Sequence, residues 1–127
     1  MSSLRQFDYN IREAQPAEFS LLGELTVGAY ASLPGMPAVV EQAGYYEVLR
    51  DVAKRTGTPA TSVFAAVSGR GELLGTVNFF ADMRRYGSGG SAGSVSNAAG
   101  IRYLAVKPEH RGSGIGRSLT LYCVAQH

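Results

Sequence analysis

The strongest constraint in this sequence is a short stretch near its end. An apolar run, Ile101-Arg102-Tyr103-Leu104-Ala105-Val106, is closed by Lys107-Pro108 and followed by glycines at 112, 114 and 116. Proline lacks the N–H that strand pairing needs, and glycine admits positive φ and close approach to the backbone. From Gly114 onward, Ile115, Leu119, Tyr122 and Cys123 fall on one helical face. A strand, a polar turn, a glycine cluster and a helix together form the layout in which backbone N–H groups and a positive helix end converge on an anion. Arg111 and Arg117 add charge at the two ends of the cluster.

Spacing separates the phosphate-binding motifs that compete for this stretch. A P-loop requires G-x-x-x-x-G-K-[ST], yet Arg117 stands where the lysine belongs and Arg111 where the first glycine belongs. A dinucleotide fingerprint requires G-x-G-x-x-G, whereas Gly112-Ser113-Gly114-Ile115-Gly116-Arg117 reads G-x-G-x-G-R, with no acidic residue about 20 positions later. What remains is R-x-x-G-x-G, carried by Arg111, Gly114 and Gly116.

The rest of the chain supplies a frame for that turn. Residues 8–14 alternate as a first strand does, and Pro16 suits the first turn of a helix. Phe19, Leu22, Leu25, Ala29 and Leu33 form one apolar stripe ending at Pro34-Gly35-Met36-Pro37. Val39, Ala43, Tyr46, Leu49 and Ala53 form a second, with Lys54 and Arg55 in its last turn, Gly57 as cap and Pro59 as stop. Thr61–Val67 and Leu73–Phe80, joined through Ser68-Gly69-Arg70-Gly71-Glu72, read as a β-hairpin. The Gly- and Ser-rich residues between Arg84 and Ala99 read as a mobile loop. The compact run 101–106 has the character of an inner strand.

Composition narrows the function classes. The 127 residues, 45% hydrophobic, suit a single domain spanning 1–127. A net charge of +2, with no basic run beyond two residues, argues against a nucleic-acid surface. No apolar run approaches the roughly 20 residues of a membrane span, and Met1–Asp8 has no signal-peptide core, so a cytoplasmic location and no membrane partner are expected. One cysteine and two histidines without ligand spacing make a bound metal improbable.

At Leu104-Ala105-Val106-Lys107-Pro108 and the R-x-x-G-x-G turn, the sequence resembles the GNAT superfamily of N-acetyltransferases. The resemblance implies an α/β fold with an α+β mixed sheet in the order β-α-α-β-β-β-α. It implies acetyl-CoA as co-substrate and direct transfer of its acetyl group to a neutral amine, borne by a small molecule or peptide. Leu104 and Val106 match the strand whose backbone holds the pantetheine arm, with the Leu104 N–H as donor to the thioester oxygen and to the oxyanion formed there. Arg111, Gly112, Ser113, Gly114, Ile115 and Gly116 match the diphosphate loop, with Arg117 and Ser118 at the helix start.

The pattern also departs from the family's. Ala99 and Gly100 stand where a carboxylate base is frequent, and no tyrosine acid follows, so no catalytic residue is assigned. The expected strand-helix-strand-strand after the cofactor helix is lacking, which implies a C-terminally truncated domain with an open fourth-strand edge. That edge implies a homodimer. A non-catalytic acyl-CoA-binding module and an inactive fragment are the competing functions. Cys123 reads as a small buried hydrophobe, His110 and Glu109 as a solvated turn, and Arg84 and Arg85 as a solvated pair. Gly87–Ala92 formally fits G-x-G-x-x-A but precedes no helix. Tyr30, Met36 and Tyr45 lie near the interhelical loop, where an acceptor pocket is frequent in the family.

Overall fold

The computed structural model describes residues 8–35, 42–57, 60–81 and 100–126. Tyr9–Glu13 forms β1, Phe19–Ala31 α1, Ala43–Arg50 α2, Val52–Thr56 α3, Thr61–Ser68 β2, Leu73–Phe80 β3, Gly100–Val106 β4 and Ile115–Gln126 α4. Short 3-10 turns occupy Pro16–Glu18 and Pro108–His110. The α/β composition is the expected one, and the order β-α-α-β-β-β-α holds with its second helix divided into α2 and α3. The sheet runs β1-β2-β3-β4, and where a mixed sheet was implied, its three pairings are all antiparallel.

Alternation along β2 explains why its buried stretch, residues 63–67, is apolar on both faces. Val63, Ala65 and Val67 pack with Leu22, Leu25 and Ala29 of α1 and Val52 of α3. Phe64 and Ala66 point the other way, into a cluster with Leu74, Val77, Phe79, Ile115, Leu119 and Cys123. Helices therefore cover both faces of the sheet, and every residue of β3 is buried. Gly75 of β3 lets α4 settle close: a Cβ there would stand 2.9 Å from the Ala105 carbonyl oxygen and 3.2 Å from the side chains of Ile115 and Leu119.

The junction of β1 and α1 is closed by a capping arrangement. Gln15 N–H donates to Glu18 Oε1 at 2.9 Å, and the Arg12 guanidinium grips both Glu18 oxygens at 2.9 and 2.7 Å. The hydrogen bond from Arg12 holds the Glu18 carboxyl below its ordinary value, against a smaller opposing effect of burial. A depressed folded-state pKa contributes stability above the unfolded pKa and loses it as pH falls through the folded one. Because the Arg12 side chain is 38% exposed, Glu18→Gln is expected to cost under about 1 kcal/mol at neutral pH. The deficit should vanish as pH falls below the ordinary carboxylate value of 4.5. Paired urea titrations at neutral pH and near pH 3 check this, and a deficit undiminished in acid would contradict it.

The second helical segment departs from expectation. Its single stripe is broken at Asp51, whose backbone leaves the helical region (φ −86°, ψ 70°) and whose carboxylate accepts from Lys54 N–H at 3.1 Å. The chain restarts as α3 with its facing rotated. Val52 and Arg55 point inward and Ala53 is exposed, so the expected place of Ala53 in the core is corrected. Gly57 caps α3 as anticipated, donating to the Ala53 and Arg55 carbonyls. Leu33, expected on the α1 stripe, lies past the helix end and is 41% exposed. Met36, Pro37, Val39, Pro59, Arg84, Arg85, Gly87–Ala92 and the loop reaching Ala99 lie outside the described residues.

Candidate active site

The expected turn folds as strand, 3-10 turn, glycine turn and helix. Backbone bonds from His110 N–H to the Lys107 carbonyl (2.8 Å), Arg111 N–H to Pro108 (3.3 Å) and Ser113 N–H to His110 (3.3 Å) lead it away from the sheet. Gly112 and Gly114 then take φ values of +84° and +89°, which glycine alone adopts without strain. Ser118 N–H donates to the Gly114 carbonyl at 3.0 Å, closing the first turn of α4. The N–H groups of Ile115, Gly116 and Arg117 precede that bond and form the unsatisfied positive end of a 12-residue helix.

β4 lies at the sheet edge, as the expected open fourth-strand edge requires despite the inner-strand character of 101–106, and no strand pairs with its far side among the described residues. Lys107 N–H donates across the sheet to the Leu74 carbonyl at 2.9 Å. Bond direction alternates along an antiparallel strand, so Ala105, opposite Thr76, also faces β3. The N–H groups of Leu104 and Val106 therefore face the open edge.

Pairing then slips by one. Thr76 opposes Ala105 but Asn78 opposes Arg102, leaving Tyr103 and Leu104 together against Val77. The extra residue is absorbed as a bulge by Tyr103, which takes φ +56°. That conformation costs a non-glycine residue about 1–3 kcal/mol. Nothing in the unbroken β-forming run 101–106 announces it.

A cleft of ≈ 340 Å³ joins these parts, with Ala29, Tyr30 and Leu33 on one wall and Leu104, Val106 and Gly116 on the other. Arg111 closes one end: its guanidinium donates to the Ala29 carbonyl at 2.8 Å and to Ser32 Oγ at 2.7 Å, a cation set on the C-terminal end of α1. Sequence reasoning had assigned Arg111 to the turn alone and missed this tie, because its partner lies 82 residues away. Gly116 sits beside β4, where a Cβ would make ordinary contact with Val106 at 3.7 Å and Leu104 at 3.9 Å. Burial pushes the Tyr30 hydroxyl above its ordinary value, with smaller contributions from Tyr45 and Tyr103. Two larger hollows, ≈ 420 and ≈ 480 Å³, flank the β2–β3 turn and include no residue from 111 to 118.

Not every expected residue faces the cleft. Ile115 is buried in the core, which leaves only its backbone for a ligand. The Ser113 hydroxyl donates back to the His110 carbonyl at 2.5 Å. Ser118 is turned toward β1, its Oγ accepting from the Tyr9 hydroxyl at 2.8 Å, and its N–H is spent on Gly114. It stands at the helix start as expected, where the fourth residue of a helix is the first to find a partner inside it. Cys123 is buried, and desolvation pushes its thiol up to about 11, a weak nucleophile at neutral pH. Glu72, Glu109 and His110 bring ligand atoms within 4.8 Å of one another. Lys107 Nζ sits on Glu72 at 2.9 Å and lowers its pKa, so the group is built around an ion pair.

The model of the acetyltransferase (GNAT) family matches residues 29–126. The chain belongs to the GNAT acetyltransferase family. No curated protein sequence matches it. A GCN5-related N-acetyltransferase from Ralstonia eutropha superposes with a TM-score of 0.68 at 19% identity, over 93% of this chain and 74% of that one. A GNAT family acetyltransferase from Brucella melitensis, solved with acetyl-CoA, superposes with a TM-score of 0.62 at 20% identity, over 95% of this chain and 69% of that one. At such identities the likeness is one of fold. As a GNAT domain, the chain carries the architecture of acyl transfer from a CoA thioester, and no described helix is long and apolar enough to cross a membrane.

Proposed function

We propose that this GNAT domain binds acetyl-CoA in the cleft between α1 and β4 and delivers its acetyl group to an amine on a small molecule or peptide. One observation carries the proposal: the outward-facing edge of β4, Arg111 and Gly116 of the first turn of α4 line a single cleft, and the left-handed Gly112 and Gly114 carry the chain from Arg111 into that helix. In this reading the N–H groups of Gly112, Gly114, Ile115 and Gly116 receive the diphosphate, Ser113 shapes the turn through its bonds to the His110 carbonyl, and Arg117 is exposed beside it. A cradle of N–H groups suits that anion because its donors are already oriented by the turn and the helix start. Arg111 keeps its charge at the mouth of the cleft while tying α1 to the turn. The Leu104 and Val106 edges hold the pantetheine arm, and the Leu104 N–H points at the thioester oxygen, where negative charge grows as a neutral amine attacks.

A thermal-shift titration tests binding. Acetyl-CoA at 100 times its dissociation constant should add about 2.7 kcal/mol to the folded state. Thiol release with an amine present marks an acetyltransferase, a shift without turnover marks a binding module, and no shift removes the proposal.

The open edge of β4, with Ile101 and Leu104 each 37% exposed, favours a second property. Two copies pairing through it would form a homodimer. That contact uses the same amides as the cofactor, so light scattering at micromolar protein should show a dimer that acetyl-CoA dissociates. A monomer in both conditions would remove the dimer and leave the cofactor site standing.

A further inference from the structure

We infer that Arg55 is a positioning residue for acyl recognition, holding the β4 bulge in the shape that turns the Leu104 amide into the cleft. The inference rests on the proposed contact between that amide and the thioester oxygen.

Arg55 lies on α3, yet its guanidinium is buried beneath the bulge. Nε donates to Asn78 Oδ1 at 2.7 Å, and the terminal nitrogens donate to the Val48 and Leu49 carbonyls at the end of α2, the second at 3.0 Å. Its Cζ stands 4.4 Å from the centre of the Tyr103 ring. Asn78 is buried and opposes Arg102, the residue just before the bulge. One rigid, planar cation therefore touches β3 on one side of the irregularity and the left-handed residue on the other.

This contact answers a question the local sequence leaves open. Tyrosine has no intrinsic preference for φ +56°, and a bulge in an apolar edge strand has little else to fix its position. If it moves one residue toward Val106, the alternation reverses and the Leu104 amide turns to β3. The stacked guanidinium opposes that movement because Tyr103 would have to leave both Arg55 and the α1–α2 side of the core, where it packs near Val27, Tyr46 and Leu49. Arg55 thus acts through Tyr103 and touches no reacting atom.

The test is calorimetric titration with acetyl-CoA and with CoA, which differ by the acyl group that the Leu104 amide would contact. One such hydrogen bond predicts that the unmodified chain binds acetyl-CoA about three- to tenfold tighter than CoA. Arg55→Met should erase that preference while CoA affinity stays within about twofold. Tyr103→Leu removes the stacking face and leaves the Arg55 bonds to Asn78 and α2 in place, so it should do the same even if Arg55→Met does not fold. Tyr103→Phe should keep the preference. A folded Tyr103→Leu or Arg55→Met protein that retains the preference overturns the inference, as does an equal loss of both ligands, the mark of a merely structural role. An unmodified chain that binds the two equally overturns the inference together with the Leu104 assignment. One that binds neither overturns the cofactor site itself.

Discussion

Gly23→Ala is expected to destabilise the fold by about 3 kcal/mol, more than any other single methyl added to a described helix. A Cβ at position 23 would stand 2.2 Å from the Arg50 carbonyl oxygen and 3.0 Å from its carbon. Both are backbone atoms at the end of α2, where the chain is already committed to the break at Asp51. No side-chain rotation relieves such a contact, so α1 and α2 must separate. Separation opens the cluster of Val27, Tyr46 and Leu49, in which the two large side chains are fully buried. Overpacking of this kind costs about 1–3 kcal/mol where the neighbours can shift, and the upper end applies where they cannot. For a domain of this size the melting midpoint should fall by roughly 10 °C. Gly28→Ala is the matched control: nothing lies within 4 Å of the added Cβ, and the better helix former should raise stability by up to about 1 kcal/mol. Equal midpoints for the two variants would show that α1 and α2 do not pack as described.

Features decided by a few neighbouring residues were legible in the sequence. The α1 stripe through Leu22, Leu25 and Ala29, the hairpin around Ser68–Glu72 and the glycine turn at 112–116 each follow from side-chain period or from the φ a residue permits. Features decided by distant partners were not. The stripe through Tyr46, Leu49 and Ala53 continues at helical spacing straight across Asp51, although Asp51 before Val52 is itself a capping signal. Arg55 reads only as a cation in a final helical turn, because Asn78 and Tyr103, which help bury it, lie 23 and more residues away. The Tyr103 bulge is invisible for the same reason: its left-handed backbone is imposed by packing across three elements. The strand, turn and helix over residues 104–117 were therefore readable, while the long-range packing that shapes the strand before them was not.

Gly114→Asp should separate folding from binding more sharply than any other change in the turn. At φ +89° with nothing within 4 Å of an added Cβ, the unliganded protein has room for the side chain and bears only the strain of the left-handed backbone. Aspartate tolerates that region better than most residues. It also places a carboxylate at the N-terminus of α4, where the helix dipole and the free N–H groups of Ile115, Gly116 and Arg117 favour negative charge. Stability should therefore change by no more than about 1 kcal/mol in either direction. Binding meets the opposite balance, because the features that welcome the carboxylate are the ones assigned to the diphosphate. Two like charges about 4–5 Å apart near a protein surface repel by roughly 3–4 kcal/mol, so the affinity for acetyl-CoA should fall by two orders of magnitude or more. Gly114→Asn, equal in shape and neutral, should lose much less. A Gly114→Asp protein that melts near the parent temperature and still gains the full acetyl-CoA shift would place the diphosphate elsewhere, and the glycines at 112 and 114 would then serve only to turn the chain into α4.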